Sequence, residues 1–305
     1  MIATVAAHQV TSLRRQRTLL ALLGLFLAMT ALAGLIGWSS TRTIARVYEQ
    51  AAEILRERGD PVPPDPIGLK PPLALLSNML IYVPLVGALL ALVLGHLSIA
   101  DDRSHGIGRL LFSRQLPRHH YVAGKAAGAA IALALALAAS LVVSVVGLLV
   151  ADRELPSLTD LGRLLLFYGL SFLYLMIFAL VGMVTVLLVR RRSMALLSAM
   201  GVWLVLTFAV PQFTSGLRPT ASLNPVSDPV STSSAFFDVT SRARPLSLSE
   251  QYKRAGADIL RIGPQEAAAV TAGRAGALAL AGALLLALAF RIVLRHDWSR
   301  SMAGE

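Results

Sequence analysis

Cysteine is absent from the 305 residues, which removes disulfides, thiol nucleophiles and thiolate metal sites together. Charge is scarce too. Charged residues make up 15% of the chain, against about a quarter in ordinary soluble domains. A phosphate-cradling loop needs Gly, four residues, then Gly-Lys-Ser or Gly-Lys-Thr; here Gly124-Lys125 is followed by Ala126, and His119 stands where the first Gly belongs. No His-Glu-x-x-His pair offers a zinc-protease site. Ser171, two residues after Gly169, has no histidine in the interiors of the later spans to act as its base, so it reads as a helix-packing serine.

What fills the chain instead is apolar surface. Hydrophobic residues reach 55% and mean hydropathy is +0.66, more than one soluble core can hide. A bilayer is the alternative solvent, and a helix crossing it needs about 20 apolar residues and must satisfy its own backbone hydrogen bonds. Six stretches answer, at 19–38, 73–100, 126–150, 164–189, 194–210 and 275–294. The second is long enough to tilt or to kink at Pro84, the fifth is short and bounded by Pro211, and the sixth carries Arg291, whose stem can lift its charge to the interface. The expected fold is an all-α membrane protein, one six-span domain over 1–305.

Positive residues orient it. Arg14, Arg15 and Arg17, then Arg103, Arg109, Arg114, Arg118 and Lys125, then Arg190, Arg191 and Arg192, and finally Arg291, Arg295 and Arg300 fall in short segments on one side, opposed there only by Asp101, Asp102, Asp297 and Glu305. By the positive-inside rule that side is cytoplasmic, and both termini are expected there. The formal net charge of +11 then belongs to orientation and anionic headgroups, not to nucleic acid. The first apolar run exceeds a signal-peptide core and no small-residue cleavage site follows it, so it is expected to stay as a span.

Two segments, 39–72 and 211–273, fall outside. Good helix formers over 39–59 predict a helix on or above the membrane surface, stopped by Gly59 and followed by the extended Pro61-Val62-Pro63-Pro64 run. In the second segment, 216–234 is rich in Ser, Thr and Pro and reads as irregular. Ser247 with Glu250 forms a capping box for a helix ending at Gly263-Pro264, and Pro264 is placed to start the helix leading into the last span. Histidines invite a metal site, but His119 and His120 diverge by about 100° on a helix and His105 joins them only if the loop folds back. His96 is an ionisable group within a span, where such groups are costly and often functional; it also sits about one turn from Asp101, near the span's end, where an interfacial pair with an acid would equally explain it.

The segment 101–125 between the second and third spans is the most informative. Ile107, Leu110 and Leu111 fall on one side of a short helix over 106–114, with Arg109 and Arg114 elsewhere; Pro117 ends it, and 121–128 restarts helix into the third span. Gly124 and Gly128 make a small-xxx-small pair for close helix approach. In their joint spacing Asp102, Gly106, Leu110, Leu111, Ser113, Arg118, Gly124 and Lys125 resemble the type 2 ATP-binding-cassette (ABC) permeases, in particular the branch that includes the permease of the nitrous oxide reductase maturation system. Asp102 stands where that family usually has Glu, Ile107 where it often has Thr, and Gln115 where it has Pro.

The resemblance implies an exporter subunit without its own motor. A separate ATPase subunit would use ATP and Mg, this chain would bind no cofactor, and two permease copies, identical or related halves, would face each other in membrane lipid. Asp102, Gly106, Arg109, Leu110, Leu111, Ser113, Arg114 and Arg118 would then form the coupling element, the arginines meeting acids on the ATPase and the leucines filling its cleft. The alternative is a membrane scaffold that matures or assembles an envelope protein through 39–72 and 211–273. A self-contained secondary transporter fits less well, because paired intramembrane acids and matched broken helices are missing. Asn78, Ser140, Ser144, Tyr168, Tyr174 and Thr185 read as interhelical hydrogen-bond partners, and no residue selects a substrate.

Overall fold

A computed structural model describes residues 2–14, 16–65, 71–104, 117–152, 156–189, 191–214, 242–263 and 265–295. All regular structure among them is helical, and six helices are long and apolar enough to cross a membrane. A short helix α1 (Ile2–Arg14) precedes the first span, α2 (Arg17–Arg58). The second span, Pro72–Asp102, is built from a tight turn, the short helix α3 (Met79–Tyr82), a wide turn at Val83–Gly87 and α4 (Ala88–Ser104). The third and fourth are α5 (Arg118–Asp152) and α6 (Leu158–Leu188). The fifth joins α7 (Arg192–Leu204), a wide turn at Val205–Ala209 and α8 (Val210–Thr214). A non-spanning helix α9 (Leu248–Ile259) precedes the last span, α10 (Ala268–Arg295).

The run 39–58, expected as a surface helix, instead continues α2 without a break. No Gly or Pro interrupts it between Trp38 and Arg58, so backbone hydrogen bonding propagates through the polar stretch. Its 42 residues span about 63 Å, twice the hydrocarbon thickness of about 30 Å. The distal half therefore stands clear of the membrane. Gly59 ends the helix in the left-handed conformation at φ 77°, where its N–H reaches the Arg56 carbonyl and that of Asp60 the Leu55 carbonyl. The Tyr48 hydroxyl donates to the Pro63 carbonyl at 2.7 Å, turning the proline run back along the helix.

α6 is the most buried span and forms the axis of the bundle. α4 crosses it at near backbone contact: a Cβ on Gly95 would collide with the Ala179 carbonyl, and one on Gly182 would sit 2.8 Å from the His96 nitrogen. Such reciprocal approach is what glycine supplies to helix packing in lipid, where dispersion rather than water exclusion holds helices together. The other spans keep large apolar side chains exposed, among them Leu20, Leu35, Leu135, Val142 and Leu284, the surface a bilayer covers.

Two prolines in the spans, Pro84 and Pro211, lie in or next to wide turns. Pro84 lacks the N–H that would complete a helical hydrogen bond, and the Val83–Gly87 turn absorbs the defect while Trp203 Nε1 donates to the Pro84 carbonyl at 3.3 Å. Pro211 does not bound the fifth span as expected from sequence. The Val205–Ala209 turn opens just before it, and helix resumes to Thr214. Ser249 of α9 donates to the Leu206 carbonyl within that turn at 3.0 Å.

α9 is thereby part of the core. Ser247 caps it, its hydroxyl accepting from the Glu250 N–H. Ser249, Tyr252, Ala255 and Gly256 fall on one helical face and are buried. The Tyr252 ring stacks on Tyr174 at 4.6 Å between centroids, and its hydroxyl pairs with Ser171 at 3.0 Å. Ser171, whose hydroxyl also donates to the Phe167 carbonyl, is a packing residue. Tyr168 meets Ser140 at 3.0 Å and Ser144 at 2.7 Å, Ser140 meets Thr30 at 2.8 Å, and Tyr174 meets Ser249 at 2.9 Å. The last span begins at Ala268, after Gly263 at φ 82° and three non-helical residues, 265–267. Arg274 closes this turn, reaching Asp258 at 3.0 Å and Glu266 at 2.6 Å.

The Gly95 contact yields a direct test. Gly95→Ala forces a methyl against a backbone carbonyl and should cost about 1–3 kcal/mol, whereas Gly169→Ala, with open space around it, should be neutral. Thermal unfolding in detergent would show the first shifted down and the second unmoved; equal midpoints would contradict the close crossing.

Candidate functional site where the second and third spans meet

The segment singled out by sequence, 101–125, begins in α4 and ends in α5. Gly106, Arg109, Leu110, Leu111, Ser113 and Arg114 lie outside the described residues, as does the short helix expected over 106–114. Helix restarts directly after Pro117, whose carbonyl accepts from the His120 N–H at 2.9 Å, so Arg118 opens α5 three residues earlier than its apolar pattern suggests. What the structure does show is how the two flanks of this loop are held.

Asp102 is near the end of α4 and only 5% exposed; Lys125, two turns into α5, is 4% exposed. Their charges meet at 2.7 Å. Taking both from water costs several kcal/mol per ion, and the pair persists only where further hydrogen bonds complete its shell. Two are present. The Tyr121 hydroxyl donates to the same Asp102 Oδ2 at 2.8 Å, and Lys125 Nζ donates to Gln9 Oε1 at 2.8 Å. Tyr121 and Lys125 are four residues apart and so share one face of α5.

Gln9, 2% exposed, belongs to α1. That helix lies against α5 at Gly128, where a Cβ would fall 2.6 Å from Gln9 Cγ and 3.3 Å from the Ala6 carbonyl. Gly124, one turn earlier, is buried. The neighbouring Asp101 turns to other elements: Oδ1 accepts from Arg192 at 2.9 Å and Oδ2 from Gln16 Nε2. Two consecutive aspartates thus clamp the end of α4 to α1 and α5 on one side and to α2 and α7 on the other. The Asp101–Arg192 pair is substantially exposed and contributes at most about 1 kcal/mol; the Asp102 cluster dominates.

Sequence reading placed Asp102, Gly124 and Gly128 in this region but missed Gln9, Tyr121, Gln16 and Arg192. A signal existed for α1. Ile2, Val5, Ala6, Gln9 and Leu13 recur at helical spacing, but a polar residue interrupts that stripe, and only Arg14, Arg15 and Arg17 of this region were read from sequence, for orientation. Tyr121, Lys125 and Gly128 also repeat at spacings of four and three, which the small-residue pattern obscured.

Removing one member of the pair leaves its partner buried and uncompensated. Asp102→Asn or Lys125→Met should each destabilise the protein by about 3–5 kcal/mol, while the double change Asp102→Leu with Lys125→Met should recover most of that loss. Unfolding midpoints of the purified chain in detergent report both. Additive losses in the double variant would rule out a coupled pair.

Residues 3–298 match the family described as ABC-2 family transporter protein. No curated protein matches the chain significantly. The match takes in all six apolar helices and the clamped 101–125 segment. With nearly its whole length covered, the chain belongs to the ABC-2 transporter family and is a multi-pass membrane protein of permease type.

Proposed function

We propose that this chain is the translocating subunit of an ATP-driven exporter in the bacterial plasma membrane, moved by a separate ATPase that grips the 101–125 loop from the cytoplasm. The observation that carries this reading is the buried Asp102–Lys125 pair at the base of a loop rich in arginine, in a chain of the ABC-2 transporter family. A loop that receives force must be rigidly mounted, and both of its ends share one desolvated ion pair. Arg109, Arg114 and Arg118 supply charge for acids on the ATPase, and Leu110 and Leu111 supply apolar anchors for a cleft. A second copy or a related half would face this one across the lipid, and ATPase closure would tilt α4 and α5 as rigid bodies. The ATPase would carry ATP and Mg; this chain brings no nucleotide site of its own. The motif spacing that supports the narrower placement beside the nitrous oxide reductase maturation permease is that of Asp102, Gly106, Leu110, Leu111, Ser113, Arg118, Gly124 and Lys125.

Charge reversal tests the loop. Arg109→Glu with Arg114→Glu should remove two exposed pairs and add repulsion, about 2 kcal/mol together and hence a ~30-fold weaker association, seen as loss of the co-purifying ATPase from solubilised membranes. Membrane insertion and the unfolding midpoint should stay as in the parent. Undiminished co-purification would remove the loop from the coupling role.

A further inference from the structure

A cavity of about 640 Å³ opens at the same end of the bundle, between the start of α2, the end of α4 and the start of α7. Its size is within the range of small-molecule sites, about 300–1,000 Å³. Polar groups converge on it from three helices: Thr18 from α2, His96 from α4, and Arg191, Arg192 and Ser193 from the entry to α7. Val93 and Leu196 make the apolar wall.

Three features identify the ligand chemistry. α7 starts here with Arg191 at its N-cap and no side chain capping it, so the first-turn N–H groups have no side-chain acceptor. Such an end favours an anion, and a phosphate oxygen can accept several of these donors at once. His96 is the second feature. It is 2% exposed, lines the cavity, and its Nδ1 has no hydrogen-bond partner among the described residues. A buried ring nitrogen left so is costly and marks where a ligand atom would complete the set. The third is charge. Arg192 already shares Asp101 at 2.9 Å, whereas Arg191, exposed at the rim, pairs with no acid among the described residues, which leaves the rim net positive.

We propose that this cavity binds the phosphate headgroup of an anionic phospholipid. The phosphate sits over the α7 N-terminus between Arg191 and Ser193, and the glycerol and first acyl carbons lie along Val93 and Leu196. A lipid is favoured over a free phosphate because the lining includes Val93, Leu97 and Leu196, and because Leu20, Met194 and Leu197, within two residues of the lining Thr18, Ser193 and Leu196, are exposed on the surface that lipid covers. Basic pockets between membrane helices take headgroups in this way. The site stands apart from ATPase coupling, since none of its residues belongs to the 105–116 loop.

The full-length chain, delipidated in detergent, is offered phosphatidylglycerol, phosphatidylcholine or inorganic phosphate, with retained lipid counted by native mass spectrometry and the unfolding midpoint followed in parallel. Phosphatidylglycerol should be retained in preference to phosphatidylcholine and should raise the midpoint. Arg191→Gln with Ser193→Ala should lower that retention about tenfold, the loss of one charge-assisted hydrogen bond, without moving the lipid-free midpoint. Leu196→Trp, which fills the apolar wall and leaves the charges, should also displace the lipid. Equal retention of the two lipids, or unchanged retention in both variants, would overturn the proposal. So would an equal rise with inorganic phosphate, which would make the site one for a soluble anion.

Discussion

One buried ion pair fixes the geometry of everything at this end of the molecule. Asp102 and Lys125 lie on separate spans joined by a loop that is long for a simple turn, and without a specific tie the two helix ends would be free to slide or rotate in lipid. Apolar residues would hold them together more cheaply, since replacing a buried ion pair with well-packed hydrophobic groups is often neutral or stabilising. What the charge pair adds is direction. Asp102 Oδ2 takes both the Lys125 ammonium and the Tyr121 hydroxyl, so only one rotation of α5 satisfies it. A second ammonium donor reaches Gln9, which seats α1 in the groove that Gly128 leaves open.

The rest of the bundle is organised so that this clamp has something rigid to act upon. α4 is pressed to α6 through Gly95 and Gly182 with no side chain between them, so a displacement at Asp102 reaches the central helix over two turns of α4. At the opposite end α6 holds α9 through Tyr174, Ser171 and Tyr252. The Tyr252 hydroxyl is fully buried, and burial pushes its pKa well above the ordinary tyrosine value, so it stays a neutral donor or acceptor throughout the physiological range. A chain of packed contacts therefore runs from the 101–125 loop to a helix outside the spans, with α6 as its common member.

Much of this was legible from the sequence, for identifiable reasons. Apolar run length marks helices that lipid must solvate, so six such runs stand out from the residues alone. Local stops were legible where a single residue type does the work: Gly59 supplies a left-handed cap and Ser247 an N-cap hydroxyl. Continuity was not. Hydropathy changes at Ser39 although the backbone does not, because a polar helix former costs nothing in a helix that has left the membrane. Pro211 misled for the opposite reason, since a wide turn one step earlier removes the clash that usually ends a helix at proline. The clamp was half visible. Asp102 and Lys125 are conspicuous charges at span ends, but their meeting depends on the third dimension, as does the role of Gln9, whose partner is 116 positions away.

The two aspartates at the end of α4 do different kinds of work, and the difference bears on regulation. Asp102 is desolvated and its pairing is all or nothing, which suits a permanent mount. Asp101 is only partly exposed, but its partner Arg192 is half open to solvent and also lines the headgroup cavity. A phosphate in that cavity would compete with Asp101 for the Arg192 guanidinium, while the Asp101 contact with Gln16, at the N-cap of α2, would stay in place. Because an exposed pair contributes about 1 kcal/mol or less, the exchange is cheap enough to be reversible. On the reading proposed here, the α4–α7 contact would loosen when an anionic headgroup is present and tighten when it is absent, while the α4–α5 mount stays fixed. The composition of the adjoining leaflet would thus set how freely the fifth span follows the second, a mechanical variable separate from the force delivered to the loop.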